Sequence, residues 1–71
     1  MNEQVQVMAL GAQIHAERGG RGWSRRRLAR EAGVTEATIR SIEHGAPATI
    51  ATLTRLAAAL ELRLVLQKAS A

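Results

Sequence analysis

The chain has 71 residues, no cysteine, and a net charge of +4 with a pI of about 11.5. At this length one domain over residues 1–71 is the upper limit, and only about 60% of the unfolded surface is buried on folding. A disulfide framework and a cysteine-ligated metal are excluded, so a second copy of the chain is the expected source of extra stability.

Residues 4–18 read as a first helix, because Val7, Leu10 and Ile14 recur at spacings of three and four. Gly19, Gly20 and Gly22 are expected to break it and to leave Arg21 in a loop. No strand precedes these glycines and no Lys-Ser/Thr pair follows, so they do not read as a phosphate-cradling loop. Ser24 reads as the N-cap of a second helix. Trp23 falls one residue before that cap and Leu28 four after it, which is hydrophobic-staple spacing. This gives Trp23 a structural role, with stacking on a base as the alternative. Gly33 ends the second helix with a positive φ.

Thr35 caps a third helix that runs to His44 and stops at Gly45. Ala46-Pro47 makes the next connection, with Pro47 holding Ala46 away from helical geometry. Thr49 caps a fourth helix over residues 50–60, whose apolar stripe is Ile50, Leu53, Leu56, Ala57 and Leu60. The period then changes to two. Leu62, Leu64 and Leu66 alternate with Arg63, Val65 and Gln67, which argues for a strand over residues 61–68. Continued helix is the other reading, since Leu, Arg and Gln are good helix formers. A strand here must pair with the QVQV segment near the N-terminus or with a second copy, in which case Leu62, Leu64, Val65 and Leu66 build the dimer.

Two short helices flanking a tight turn at Gly33 form a helix-turn-helix pattern. The same stretch is rich in arginine: seven of the ten Lys and Arg residues lie between Arg18 and Arg40. Such an excess is the footprint of a polyanion partner, or else an arginine-rich solvated surface. On the third helix Ile39 and Ile42 point inward with Val34, and Glu36, Ala37, Arg40 and Ser41 occupy the opposite face. The N-terminal part of such a helix enters the major groove. Ala37 is short enough to meet a thymine methyl, and Ser41 reaches base or phosphate. Glu36 either accepts from cytosine N4 or complements the helix N-terminus. Arg26 and Arg30 share a face at spacing four, where they grip phosphate or are merely solvated.

The run from Leu10 to Gly45 resembles the phage-repressor-like, XRE-type helix-turn-helix domains. Leu10-Gly11, Ile14, Arg18, Gly22, Ser24, Leu28-Ala29, Gly33, Val34-Thr35, Thr38-Ile39, Glu43 and Gly45 fall at family spacing, and residues 49–60 match the family's fourth helix. The resemblance implies a mainly α, lambda-repressor-like four-helix fold with its helical core at residues 10–60. It aligns Arg25, Thr35, Glu36, Ala37 and Ser41 with the DNA-contact set, and Thr38 and His44 with positions near the phosphate backbone. His44 also reads as a plain polar C-terminal residue. The candidate DNA-binding residues are thus Ser24, Arg25, Arg26 and Arg30 on the second helix, and Thr35, Glu36, Ala37, Thr38, Arg40, Ser41 and His44 on the third. The alignment also implies a partly buried Arg18–Glu43 ion pair joining the first and third helices. Two residues depart from the pattern: Arg25 stands where the family has Gln, and Arg27 where it has an acidic residue. The ending LRLVLQKASA is similar to those of small antitoxins and other operon autoregulators.

The expected function is a cytoplasmic, homodimeric transcriptional repressor that reads a palindromic operator on double-stranded DNA and controls its own operon. The alternative is an antitoxin, or another interaction protein, whose main task is to neutralise a toxin partner. No apolar run reaches the roughly 20 residues of a membrane span, and MNEQVQVM lacks the pattern of a signal peptide. With no Cys, Asp or Tyr, and with His15 and His44 far apart, neither a catalytic constellation nor a metal or other cofactor site is expected.

Overall fold

The computed structural model describes residues 3–66 and 68, with side chains from Val5 onward. Four helices lie among the described residues: α1 (Glu3–Gly20), α2 (Arg25–Ala32), α3 (Glu36–Glu43) and α4 (Ile50–Ala59). The three expected N-caps form. Ser24 Oγ accepts from the Arg27 N–H at 3.0 Å. Thr35 and Thr49 do the same for Thr38 and Thr52, each at 3.1 Å. Each bond satisfies a backbone donor that the first helical turn leaves unpaired.

The helix ends share one closure. After α1 the Trp23 N–H returns to the Arg18 carbonyl, and the Gly22 N–H to that of Gly19. Gly22 supplies the φ of 69° this motif requires. The expected break at Gly19 and Gly20 is therefore displaced, and α1 runs through both. Glycine in a helix costs about 1 kcal/mol relative to alanine, which weakens the helix without ending it. Gly33, at φ 72°, closes α2 as expected, with Val34 N–H on the Ala29 carbonyl. The α3 end repeats the pattern through Ala46 N–H on Ser41. At α4 the same closure, Leu62 N–H on Ala57, is made by a non-glycine, Glu61, at φ 57°. Arg21 lies in the turn after α1 as expected, and it donates from Nη2 to the Leu60 carbonyl at 2.6 Å.

One core joins the helices. Ile14 from α1, Leu28 and Ala29 from α2, Ile39 and Ile42 from α3, and Leu53, Leu56 and Leu60 from α4 or its cap are buried together. Leu10, Trp23, Val34 and Leu62 pack against them. Ile50 departs from the expected stripe: it opens α4 one turn ahead of Leu53 and is 70% exposed. α1 packs on α3, and α2 packs on both α3 and α4. The α1–α3 approach is so close that a Cβ at Gly11 would run into the Ile42 carbonyl oxygen.

The tail differs from the strand reading. Residues 62–66 carry no regular structure, and no strand is found among the described residues. A strand needs a second ladder, and the QVQV segment cannot supply it because it lies inside α1. Continued helix is overturned, since Glu61 turns the chain out of α4. Leu62 packs on the core, whereas Leu64, Val65 and Leu66 are 39%, 56% and 102% exposed. Gln67 lies outside the described residues. No helix among those described is long and apolar enough to cross a membrane.

Candidate nucleic-acid interface

Both faces of α3 follow from its sequence. Ile39 and Ile42 at spacing three are buried at 0% and 3% exposure, which turns Glu36, Ala37, Arg40 and Ser41 outward, all exposed. Ala37 and Ser41 border a shallow groove shared with Thr38, Pro47, Ala48 and Thr52. The Thr35 and Thr38 hydroxyls bond each other at 2.8 Å, so their exposed oxygens are fixed in position. His44 places Nδ1 at 2.7 Å from the Arg40 carbonyl. A carbonyl only accepts, so Nδ1 carries the proton and Nε2 is left to meet solvent or a ligand.

On α2, Arg26 and Arg30 are exposed, as is Arg40 on α3. None of the three makes an ion pair or a side-chain hydrogen bond with another described residue. Arg27 behaves differently from its neighbours: its guanidinium lies 4.5 Å from the centre of the Trp23 ring, with that of Arg21 at 5.8 Å. Trp23 is thus half-buried against the core and flanked by two cations, a structural placement. A cation over an indole face contributes roughly 0.5–1 kcal/mol at an exposed site.

Beneath the two helices lies a charged centre. The Glu43 side chain is 2% exposed and that of Arg18 is 13% exposed. Arg18 donates from Nε to Oε2 at 2.7 Å and from Nη2 to Oε1 at 3.1 Å, while its Nη1 bonds the Trp23 carbonyl at 2.8 Å. The Arg18–Glu43 pair implied by the family resemblance is therefore present, and it is bidentate. Two partners were not foreseen. Arg25 donates from Nε to Glu43 Oε1 at 2.9 Å, and His15 Nδ1 stands 3.3 Å from the same oxygen. His15 Nδ1 also lies 3.1 Å from Arg18 Nη2; it donates to Glu43 in one tautomer and accepts from Arg18 in the other. Burial pushes the Glu43 carboxyl up, but hydrogen bonds from Arg18, Arg25 and His15 outweigh it and hold its pKa at about 2. The bond to Glu43 raises the Arg18 pKa against the effect of its own desolvation.

The sequence-derived residues thus separate into an exposed α3 face, free arginines beside it, and one arginine tied to a buried carboxylate. Only the departure of Arg25 from family Gln hinted at that tie.

A capped helix pair closed at a left-handed glycine, with an exposed polar face on its second helix and unpaired arginines around it, defines a helix-turn-helix DNA-binding domain. The family model described as Helix-turn-helix matches residues 14–67. The chain belongs to that family, in its XRE type, and is a DNA-binding transcription regulator. No curated protein matches the chain, and no solved structure does.

Proposed function

We propose that the chain is a cytoplasmic transcriptional repressor that binds a palindromic operator as a homodimer and controls its own operon. The observation that carries this reading is the exposed face of α3, Glu36, Ala37, Arg40 and Ser41, beside the unpaired guanidinium groups of Arg26 and Arg30. In this reading α3 enters the major groove, where Ala37 and Ser41 meet base edges. Ser24, Arg26, Arg30, Thr35, Thr38, Arg40 and His44 flank it toward phosphate and sugar. Arginine–phosphate contacts make the affinity fall steeply with salt. The exposed Leu64, Val65 and Leu66 support a second copy as the partner, with the two tails paired as antiparallel strands.

Binding to the chain's own upstream DNA and to a scrambled duplex, compared across a salt series, tests the reading. Equal affinity for both sequences sinks it. Ala37→Glu, which sets a second carboxylate beside Glu36, is expected to abolish specific binding with the melting temperature unchanged. Leu64→Pro removes a ladder donor and is expected to give monomers in sedimentation that hold a palindrome weakly. The same exposed leucines favour a second reading, an antitoxin whose tail covers a toxin. A chain that is monomeric alone, and stable only with the product of an adjacent reading frame, selects that reading.

A further inference from the structure

Among the candidate contact arginines, Arg25 alone has its side chain engaged by another described residue. Its Nε–H meets Glu43 Oε1 at 2.9 Å, and the side chain is 31% exposed while its carboxylate partner is 2% exposed. The guanidinium is planar, so fixing Nε against a buried anion fixes the plane of the whole group. Its terminal nitrogens have no partner among the described residues. Glu43 itself cannot swing, because Arg18 holds both of its oxygens. It also stays ionised throughout the working pH range, with a pKa of about 2. Arg25 is the first residue of α2, directly after the Ser24 cap, and the first helix of such a pair crosses the DNA backbone.

We propose that Glu43 is a positioning residue for DNA binding: through Nε it holds Arg25 so that the terminal nitrogens form a preset fork for one backbone phosphate. The inference rests on the DNA-binding reading above and adds an ordered, bidentate contact to it. Arg is suited to the task because one edge of its guanidinium can serve Glu43 while the other meets phosphate. Lys has a single nitrogen on a flexible stem, and engaging Glu43 occupies it. Arg25 thereby differs from Arg26 and Arg30, which reach phosphate as free, mobile cations.

The test compares Arg25→Gln, Arg25→Lys, Glu43→Gln and the Arg25→Gln/Glu43→Gln double variant with the wild-type chain. Affinity for the upstream duplex is measured across a salt series, well below each melting temperature. The wild-type slope of log affinity against log salt is expected to lose about 0.9 in both Arg25 variants, the effect of one phosphate contact. Glu43→Gln is expected to weaken binding roughly tenfold when Arg25 is present, as loss of a charge-assisted bond does. In the Arg25→Gln background it should weaken binding no further, although it still lowers the melting temperature through Arg18. A full slope in Arg25→Lys shows that any cation at this position suffices and overturns the positioning role. So does an unchanged slope in Arg25→Gln, or a Glu43→Gln loss that is equal in both backgrounds. If Glu43→Gln does not fold, the two Arg25 variants decide the matter. A wild-type chain that binds no specific duplex is a different failure: it removes the DNA-binding reading and this inference with it.

Discussion

The helix pair between Ser24 and Gly45 and the tail after Leu60 are both rich in branched aliphatic residues, yet the chain treats them oppositely. Leu28, Ile39 and Ile42 are at most 3% exposed, while Leu64, Val65 and Leu66 range from 39% to fully exposed. The helix pair carries its own folding instructions: a hydroxyl cap at each start, a left-handed residue at each end, and apolar spacing that faces one core. The tail has period-two spacing but no second strand among the described residues. A helix satisfies its backbone internally, whereas a strand depends on a partner elsewhere. Apolar periodicity therefore predicts burial only where the backbone can close its hydrogen bonds within reach.

The widest break in this comparison is a pair of truncations. Leu56 is fully buried, so Leu56→Ala should cost roughly 3–4 kcal/mol through lost burial and a residual cavity. Leu66 is fully exposed, so Leu66→Ala should change the stability of the dilute chain by less than about 0.5 kcal/mol. Denaturant melts at low concentration measure both. A matching loss at Leu66 would make the tail part of the monomer's core and erase the distinction.

Glu43 sharpens the comparison from the polar side. Glu43→Ala leaves the largely buried Arg18 without its anion and should cost roughly 3 kcal/mol. The same contact sets a pH dependence. The folded pKa of about 2 lies below the ordinary 4.5, so the folded state favours the ionised form. That stabilisation is complete above about pH 4.5 and is lost as the pH falls toward 2. Melts between pH 6 and pH 2 should show a decline in the wild-type chain that Glu43→Ala largely lacks. Parallel curves for the two would mean that other carboxylates govern acid unfolding.

The two regions also differ in how far the sequence revealed them. Ser24, Gly33, Thr35 and Thr49 act within four residues of themselves, and each was legible from local chemistry. The inward Ile39 and Ile42 were legible from spacing. Contacts between distant segments were not. Nothing in the periodicity joins Arg25 to Glu43, Arg21 to the Leu60 carbonyl, or Gly11 to Ile42. Arg18 and Glu43 were paired only through resemblance to a family. Gly19 and Gly20 misled because composition marks them as breakers, whereas the turn is made two residues beyond Gly20, at Gly22.

The smallest expected effect lies at the junction of the two regions. Three helix ends use glycine for the left-handed residue, and α4 alone uses Glu61, at φ 57°. That conformation costs an L-residue about 1 kcal/mol or slightly more. Glycine removes the strain but returns part of the gain as extra freedom in the unfolded chain, roughly 0.5–1 kcal/mol. Glu61 also pairs with Arg21 Nη1 at 3.3 Å, but its side chain is 80% exposed, so little is lost with that contact. The stronger bond from Arg21 Nη2 goes to the Leu60 carbonyl and survives the substitution. Glu61→Gly should therefore stabilise the domain by about 0.5 kcal/mol and raise its melting temperature by roughly 2–4 °C. A lower melting temperature would mean that the Arg21–Glu61 pair anchors the tail more firmly than its exposure suggests. The boundary between the self-contained helices and the partner-dependent tail would then be held by charge rather than by backbone closure.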